Sequence, residues 1–554
     1  MHWKILTKVN KKQITADEVQ KLLFKNRGLY SKKEQDDFLK PKNPLTISFQ
    51  EIGVDPRQIT KFITRIQEAQ IKKESVIVYG DYDTDGICAT AILWECLYDL
   101  KLKVLPHIPD RFEEGYGINA DSIKKLKAND PSLKLIITVD NGIVANNAVL
   151  YAKSLGIDVI ISDHHLQEKI LPKADAVIHT TKIGGAALAW FLVKAIYAKL
   201  KTKNSKEKTT ESLVLAAIGT ISDVLPLLAV NRSLVAYGLK AIHATNRIGL
   251  LKLIEIAGIE KEKIGTYEIG FVLAPRINAM GRLKAGIDAL RLLCTNDPVK
   301  AQLLARKLNS TNIERINIVE NVSIHALKSA GSNQKYSIVL AHESYHEGVI
   351  GLAASELVKK FYLPAIVISK GKLISKASAR SIEGFDIMAA IRKLDSLIIS
   401  GGGHTMAAGF TLETANINKF ALAFNEIARK TLTADLLQRL LKIDTEIPLN
   451  LIDDKLLVVI GQFAPFGPGN YEPTFATRDV LIKNVHTVGN DAKHLKFSIE
   501  GSDTIYDAIA FGMGRLGARL TEEAKVGLAY NIYENVWNGK RKIELRVRDI
   551  DYKT

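Results

Sequence analysis

The period of the hydrophobic and polar positions changes along the chain, and each change predicts a different architecture. Up to about Glu74, apolar residues recur at helical spacing. This predicts short helices, a loop around 41–45 and an amphipathic stretch over 56–69. From Ser75 the pattern alternates: apolar β-branched runs at 75–79, 104–108, 133–139 and 159–162 are separated by helical stretches. Such alternation predicts a parallel sheet with right-handed crossovers. A long amphipathic helix over 301–322 leads to a second, smaller α/β pattern, with strands at 337–341 and 365–368 around a helix at 348–360. Beyond about Ile443 the period drops to two, with segments 480–485, 495–499, 506–511 and 543–547 between turn residues. That predicts an all-β module of the small-barrel type, such as an OB-fold.

The ends of the predicted strands carry the chemistry. Val76-Ile77-Val78-Tyr79 runs into Gly80-Asp81-Tyr82-Asp83-Thr84-Asp85-Gly86, and an apolar helix follows. In open α/β sheets, ligands bind beyond the carboxyl ends of the strands. Three carboxylates so close repel one another, and a divalent cation relieves them. Two further strands end in Asp140-Asn141-Gly142 and Asp163-His164-His165. A lone strand-end Asp reads as a helix cap; three such ends with a His pair read as one site. Asp223 ends an apolar helix at a Gly-containing break (Gly219-Thr220-Ile221-Ser222-Asp223) and can join them.

Carboxylates with imidazoles suit Mn²⁺ or Mg²⁺, whereas thiolates would suit zinc. The expected ligands are Asp81, Asp83, Asp85, Asp140, His164 and Asp223, with Asp140 bridging two ions because its strand is central. Asp163 is expected to orient His164, leaving His165 to face a phosphate. Two divalent ions at such a site suit phosphodiester hydrolysis.

Composition adds a partner class. Lys and Arg number 76 against 60 Asp and Glu, a formal charge of +16, which suits a polyanion. The three cysteines are unclustered and read as core packing, and no apolar run is long enough for a membrane helix or a signal peptide. A cytoplasmic location is expected. The run 201–210, rich in lysine, reads as a solvated mobile loop, and Gly401-Gly402-Gly403-His404 taken alone reads as a structural turn.

These residues resemble the DHH phosphoesterase superfamily, whose four motifs are similar to 80–86, 139–142, 162–165 and 219–224. More narrowly the chain resembles the RecJ exonuclease family. That likeness extends to Pro109-Asp110-Arg111, Pro275-Arg276-Ile277-Asn278, Asn312 with Glu314-Arg315, His346-Glu347-Gly348, Ala379-Arg380-Ser381, Gly402-Gly403-His404 and Pro465-Phe466-Gly467-Pro468-Gly469-Asn470. Two departures stand out: Tyr345 takes a place more often held by Trp, and the stretch 179–184 is short.

The resemblance implies an α/β fold with a parallel-sheet DHH catalytic domain, a smaller α/β DHHA1 domain and a C-terminal OB-fold. The expected division is a helical lead-in at 1–74, the catalytic domain at 75–235, a helical connector at 236–335, DHHA1 at 336–435 and the barrel at 443–554. It implies a metal-dependent 5′→3′ exonuclease on single-stranded DNA, releasing 5′ mononucleotides in recombination and repair. Arg111, Ser378 and Arg380 would form a pocket for the 5′ phosphate, with Arg276, Arg282 and His404 near the strand. Tyr471, Phe475 and Phe497 would stack on bases or fill the barrel core. The implied protein is a monomer working with a helicase and a single-strand-binding protein. A phosphodiesterase for short oligonucleotides or cyclic dinucleotides, and a catalytically silent DNA-binding scaffold, are the competing readings.

Overall fold

The computed structural model describes residues 1–8, 14–200, 204–330, 335–501, 504–520, 525–537 and 540–552. They form two compact units. The larger comprises Leu45–Leu225 and Tyr237–Arg439; the other gathers Met1–Pro44, Pro226–Ala236 and Leu440–Thr554. The first strand of the chain, β1 (His2–Ile5), belongs to the second of these.

The larger unit holds two sheets. The first comprises β2 (Ser75–Tyr79), β3 (Lys103–His107), β4 (Leu133–Val139), β5 (Asp158–Asp163) and β6 (Ala176–His179), in the order β3-β2-β4-β5-β6 and parallel throughout. All of β2 is buried, as are Leu133 and the run Leu135–Val139 of β4. Continuous apolar runs are what a parallel sheet covered on both faces requires. The helix Thr84–Asp99 has 12 buried residues and packs against the helices Gly185–Leu200 and Ser205–Ser222. Cys88 and Cys96 are buried in it, as expected of core cysteines, and Cys294 is half-buried.

A helix of 33 residues, Pro298–Ala330, leads to the second sheet. That sheet runs β10-β11-β9-β8-β7, from β7 (Ile338–His342), β8 (Ala365–Ser369), β9 (Ile374–Arg380), β10 (Ser400–His404) and β11 (Ala407–Glu413). Only β7 and β8 pair in parallel. Gly401-Gly402-Gly403-His404 is therefore an exposed edge strand and not a turn, because it zips antiparallel onto Ala407–Thr411. The lysine-rich run also differs from expectation: Ser205–Thr210 form the first turns of a helix, while 201–203 lie outside the described residues.

In the other unit, β12 (Leu440–Ile443) pairs in parallel with β1. Then β13 (Thr445–Glu446), β14 (Phe475–Val488), β15 (His494–Glu500), β16 (Ile505–Ala510), β17 (Lys525–Trp537) and β18 (Lys540–Asp551) form one sheet. Its order is β13-β14-β15-β16-β18-β17, and β17 pairs back onto β14, so the barrel closes there. The parallel β16–β18 pair among antiparallel neighbours is the OB-fold arrangement. Phe475, Phe497, Leu528 and Leu545 fill its interior, so Phe475 and Phe497 are core residues, whereas Tyr471 is exposed.

Arg232 is the largest charged side chain buried in this unit. Its guanidinium donates to the carbonyls of Phe38, Phe463, Pro465 and Ala464 and lies 3.8 Å above the Phe38 ring. Among the described residues no carboxylate balances it, and burial lowers its pKa to about 10. Charge-assisted hydrogen bonds to four carbonyls, two of which Asn470 Nδ2 also serves, offset the cost of burying it.

Candidate metal centre and phosphate pocket

The acidic loop after β2 folds as it does because two of its aspartates serve the backbone. Asp83 caps the helix Thr84–Asp99 by accepting from Gly86 N at 2.9 Å. Asp85, in the first turn of that helix, accepts from Gly185 N at 2.7 Å and Ala186 N at 3.0 Å, the start of another helix. A carboxylate is favoured at a helix N-terminus. Asp140 follows the central strand β4 in a left-handed conformation, φ 64°, which aims its carboxylate across the strand ends.

The strand ends converge. His164 Nε2 lies 3.0 Å from Asp140 Oδ1, 3.7 Å from Asp223 Oδ2 and 3.9 Å from Asp85 Oδ2. Three overlapping groups have ligand atoms within 4.8 Å of one another: Asp140, His164 and His165; Asp85, His164 and Asp223; Asp81, Asp83 and Asp140. Asp223 caps the helix Ser205–Ser222, which runs through Gly219 without a break. The reason is spatial: a Cβ at Gly219 would lie 2.2 Å from Asp85 Oδ1, so glycine there is a close-approach residue and not a helix end.

The electrostatics of the cluster call for cations. Burial, and then Asp83, push Asp81 well above the usual carboxylate range; burial, and then Asp85, do the same to Asp140. Asp85 rises to about 7, from burial and then Asp83, and Asp223 to about 8, from burial and then Asp85. His164 falls to about 4, from burial and then His165, so the ring is neutral and free to ligate. Asp81 Oδ1 and Asp140 Oδ1 are buried without a hydrogen-bond partner. Like charges in a buried space and orphaned carboxylate oxygens fit a pair of hard divalent ions, with all-oxygen and imidazole donors.

Asp163 does not orient the His164 ring as the sequence suggests. Its Oδ1 accepts from His165 Nδ1 at 2.8 Å and from the backbone N–H of His164 and His165, and its Oδ2 accepts from Ile143 N at 2.9 Å. Against the cost of burial, the Asp163 hydrogen bond and charge raise His165 to about 9. The His165 backbone carbonyl in turn meets His179 Nε2 at 2.7 Å.

A cavity of about 230 Å³ opens from the acids, lined by Asp81, Asp83, His165, Asn278 and Gly281 among others. It shares Tyr82, Arg111, Tyr116 and Arg282 with a second of about 440 Å³, whose far wall is Ser378, Arg380 and Gly351. A Cβ at Gly351 would lie 2.8 Å from both Ser378 Oγ and Arg380 Nη2. Arg380 donates to Ser378 Oγ at 3.1 Å and Ala379 O at 2.8 Å, Arg282 to Gly348 O at 3.2 Å, and Arg111 stacks on Tyr82 at 5.2 Å. Burial, then Arg111, Arg380 and Arg315, lower Arg282 to about 10. Guanidinium groups gathered without a carboxylate partner among the described residues make an anion pocket.

Arg276 lies on the same helix as Arg282 and is held by Asn309 Oδ1 at 3.0 Å and Val272 O at 2.7 Å. His404 ends the exposed edge strand, outside both cavity linings, yet near enough to His164 to lower its pKa. Sequence reasoning omitted Tyr82, Tyr116 and Asn278. Asn278 Oδ1 accepts from Thr84 N at 2.8 Å, and only its place beside Arg276 hinted at this.

An acidic and imidazole cluster at the ends of a parallel sheet, opening into an arginine pocket completed by a second small lobe, defines a phosphoesterase core of the DHH type. Family models agree: the DHH family N-terminal domain matches residues 75–220, the DHHA1 domain 333–430 and the RecJ OB domain 443–549. A single-stranded-DNA-specific exonuclease RecJ of Haemophilus influenzae is 30% identical over 564 residues, covering 96% of this chain and 95% of that one. The Bacillus subtilis RecJ is 34% identical over 499 residues and 88% of this chain, which spans only 62% of that relative's length. Crystal structures of Thermus thermophilus RecJ superpose over the whole chain. The Mn²⁺ complex matches at 28% identity and a TM-score of 0.84, over 80% of that chain; the Mg²⁺ complex matches at 26% and 0.78, over 79%. The chain belongs to the RecJ family.

Proposed function

We propose that this chain is a metal-dependent exonuclease that degrades single-stranded DNA from its 5′ end and releases 5′ mononucleotides. The observation that carries the reading is the continuity of the two cavities. One end is lined by Asp81 and Asp83, whose carboxylates group with that of Asp140, and by His165; the other is lined by Arg282 and Arg380, which have no carboxylate partner among the described residues.

The residues that hold Mn²⁺ or Mg²⁺ are Asp81, Asp83, Asp85, Asp140, His164 and Asp223. When bound, two such ions make a nucleophile available at neutral pH and offset the negative charge of the reacting phosphate. Arg111, Ser378, Arg380 and Arg282 seize the terminal phosphate through planar, charge-assisted hydrogen bonds. That anchor sets polarity, because the scissile bond then falls one nucleotide along, at the acids. His165, locked by Asp163, faces the same cavity and donates to a non-bridging phosphate oxygen or to the departing oxygen. His404 contacts the strand from the edge of the second sheet.

The proposed division of labour follows the five segments 1–74, 75–235, 236–335, 336–435 and 443–554, with the barrel retaining the strand downstream. No helix among the described residues is long and apolar enough to cross a membrane. On family grounds the protein acts in the cytoplasm as a monomer, on strands supplied by a helicase and bound by a single-strand-binding protein.

The test is digestion of a long single-stranded DNA, labelled at either end, with Mn²⁺ and with Asp140→Ala as control. Immediate release of the 5′ label as mononucleotide, with gradual shortening of the 3′-labelled strand, is expected. Intact labels with the wild-type protein would remove the reading.

A further inference from the structure

One helix passes the acids and carries, beyond them, an aromatic pair that the reaction above leaves unused. Glu268–Leu273 form a π-helical turn that continues into the helix Ala274–Leu283. Tyr267 and Phe271 stand on this turn with ring centroids 5.1 Å apart and planes 28° from parallel. They are 63% and 72% exposed, while Ile269 and Leu273 of the same turn are buried. π-helical turns are rare and concentrate at functional sites. A Cβ at Gly270 would meet Ile221 Cγ2 at 3.5 Å, so the turn rests on the end of the helix that presents Asp223.

The order of groups along this helix gives the pair a direction. Arg282 lines the arginine pocket, and Asn278 touches the acidic loop at Thr84. Phe271 then lies about 10 Å further from the pocket, at about 1.5 Å per residue. Arg276 is turned back toward the aromatic turn by its bond to Val272 O at 2.7 Å, and Arg315 is its neighbour. Neither guanidinium has a carboxylate partner among the described residues, and Arg315 Nε is buried without a partner. Exposed aromatic faces beside unpaired cations are the combination that holds single-stranded nucleic acid.

We propose that Tyr267 and Phe271 form a stacking platform for bases on the 3′ side of the scissile bond, with Arg276 and Arg315 following the adjoining phosphates. The proposal rests on the exonuclease reading. Its occupant is the substrate strand, because the platform continues the line from phosphate pocket to acids.

The test compares wild type with the double variant Tyr267→Ala/Phe271→Ala, and with Phe271→Trp. The substrates are 5′-phosphorylated oligonucleotides, intact or with one abasic site at each of the first several positions. The double variant is expected to raise KM about tenfold or more while kcat stays near wild type, and Phe271→Trp, which keeps an aromatic face, to hold KM at or below the wild-type value. Wild type is expected to lose a similar factor when an abasic site falls over the platform, and the double variant to be indifferent to that site. An unchanged KM, or equal abasic penalties in both proteins, would overturn the platform. So would a sedimentation change in the variant, which would mean that the pair covers a second copy. Should wild type cut nothing, the exonuclease reading falls, and anisotropy of labelled oligonucleotides without metal still decides whether the pair binds bases.

Discussion

Replacing Gly219 by alanine sets helix propensity against the geometry of the acidic cluster. In a helix interior, Gly→Ala stabilises by about 1 kcal/mol. At Gly219 the new Cβ would lie 2.2 Å from Asp85 Oδ1 and 2.5 Å from the Ala186 Cβ. Restoring ordinary contact moves Asp85 or the helix by about 1 Å. Asp85 cannot move freely, because it holds Gly185 N and Ala186 N at 2.7 and 3.0 Å. Hydrogen bonds to a charged group contribute about 1.5–3 kcal/mol, and overpacking costs about 1–3 kcal/mol. The balance is a net loss of about 1.5–5 kcal/mol, opposite in sign to propensity. Activity falls further, since a displacement of about 1 Å at a reacting centre costs about a hundredfold.

Gly461 supplies the control. It is helical, and a Cβ there meets nothing within 4 Å. Thermal unfolding and Mn²⁺-dependent release of mononucleotides would be measured for both variants. Gly219→Ala should melt earlier and lose about two orders of magnitude in rate, whereas Gly461→Ala should keep the rate and melt no earlier than wild type. A Gly219→Ala protein with wild-type stability and rate would refute the close-approach argument.

Asp163→Asn removes the negative charge facing His165 Nδ1 and leaves one acceptor oxygen where two now serve His165, the His164 and His165 backbone N–H groups and Ile143 N; turnover should fall about 10–100-fold in a metal-saturated digestion, with the fold intact by circular dichroism. Arg380→Ala should raise KM about tenfold for strands with a 5′ phosphate and much less for strands ending in a 5′ hydroxyl, and equal effects on both would remove the terminal-phosphate assignment. Arg232→Met takes the guanidinium from the Phe38 and Ala464 carbonyls, while those of Phe463 and Pro465 keep Asn470 Nδ2, and should destabilise its unit by about 3 kcal/mol, read as faster proteolysis near Pro465; unchanged protection would contradict it. Glu114 opposes burial through hydrogen bonds from His107, Ser122 and Asp110 N, and sits at about 2 instead of 4.5. A depressed folded pKa stabilises above the unfolded value, so this contribution is lost as pH falls from 4.5 toward 2. Glu114→Gln should therefore flatten the acid limb of melting temperature against pH, and an unaltered limb would sink the assignment.

Much of the catalytic sheet is legible in the chain itself. β2 and β4 coincide with the apolar runs 75–79 and 133–139, because a strand buried on both faces leaves an unbroken local signature. The acids other than Asp223, which ends a helix, are legible for a related reason: each lies just after such a run, and a parallel sheet brings successive strand ends to one edge. Other features leave no local trace. β6 is four residues long, with every second residue partly exposed. Nothing in the local pattern marks the Tyr267–Phe271 pair, which the π-helical turn leaves with both rings in water.

What the sequence determines by itself is therefore short-range: the period of each element, and the acids, histidines and glycines that follow it. Tertiary structure decides which distant groups share a space. β1 finds β12 across more than 400 residues, Arg232 closes on carbonyls at both 38 and 463–465, and Asp163 selects His165 over the ring of His164. Strand periodicity and turn chemistry act over a few residues, whereas a hydrogen bond or an ion pair depends on angles and ångströms that only the packed chain sets.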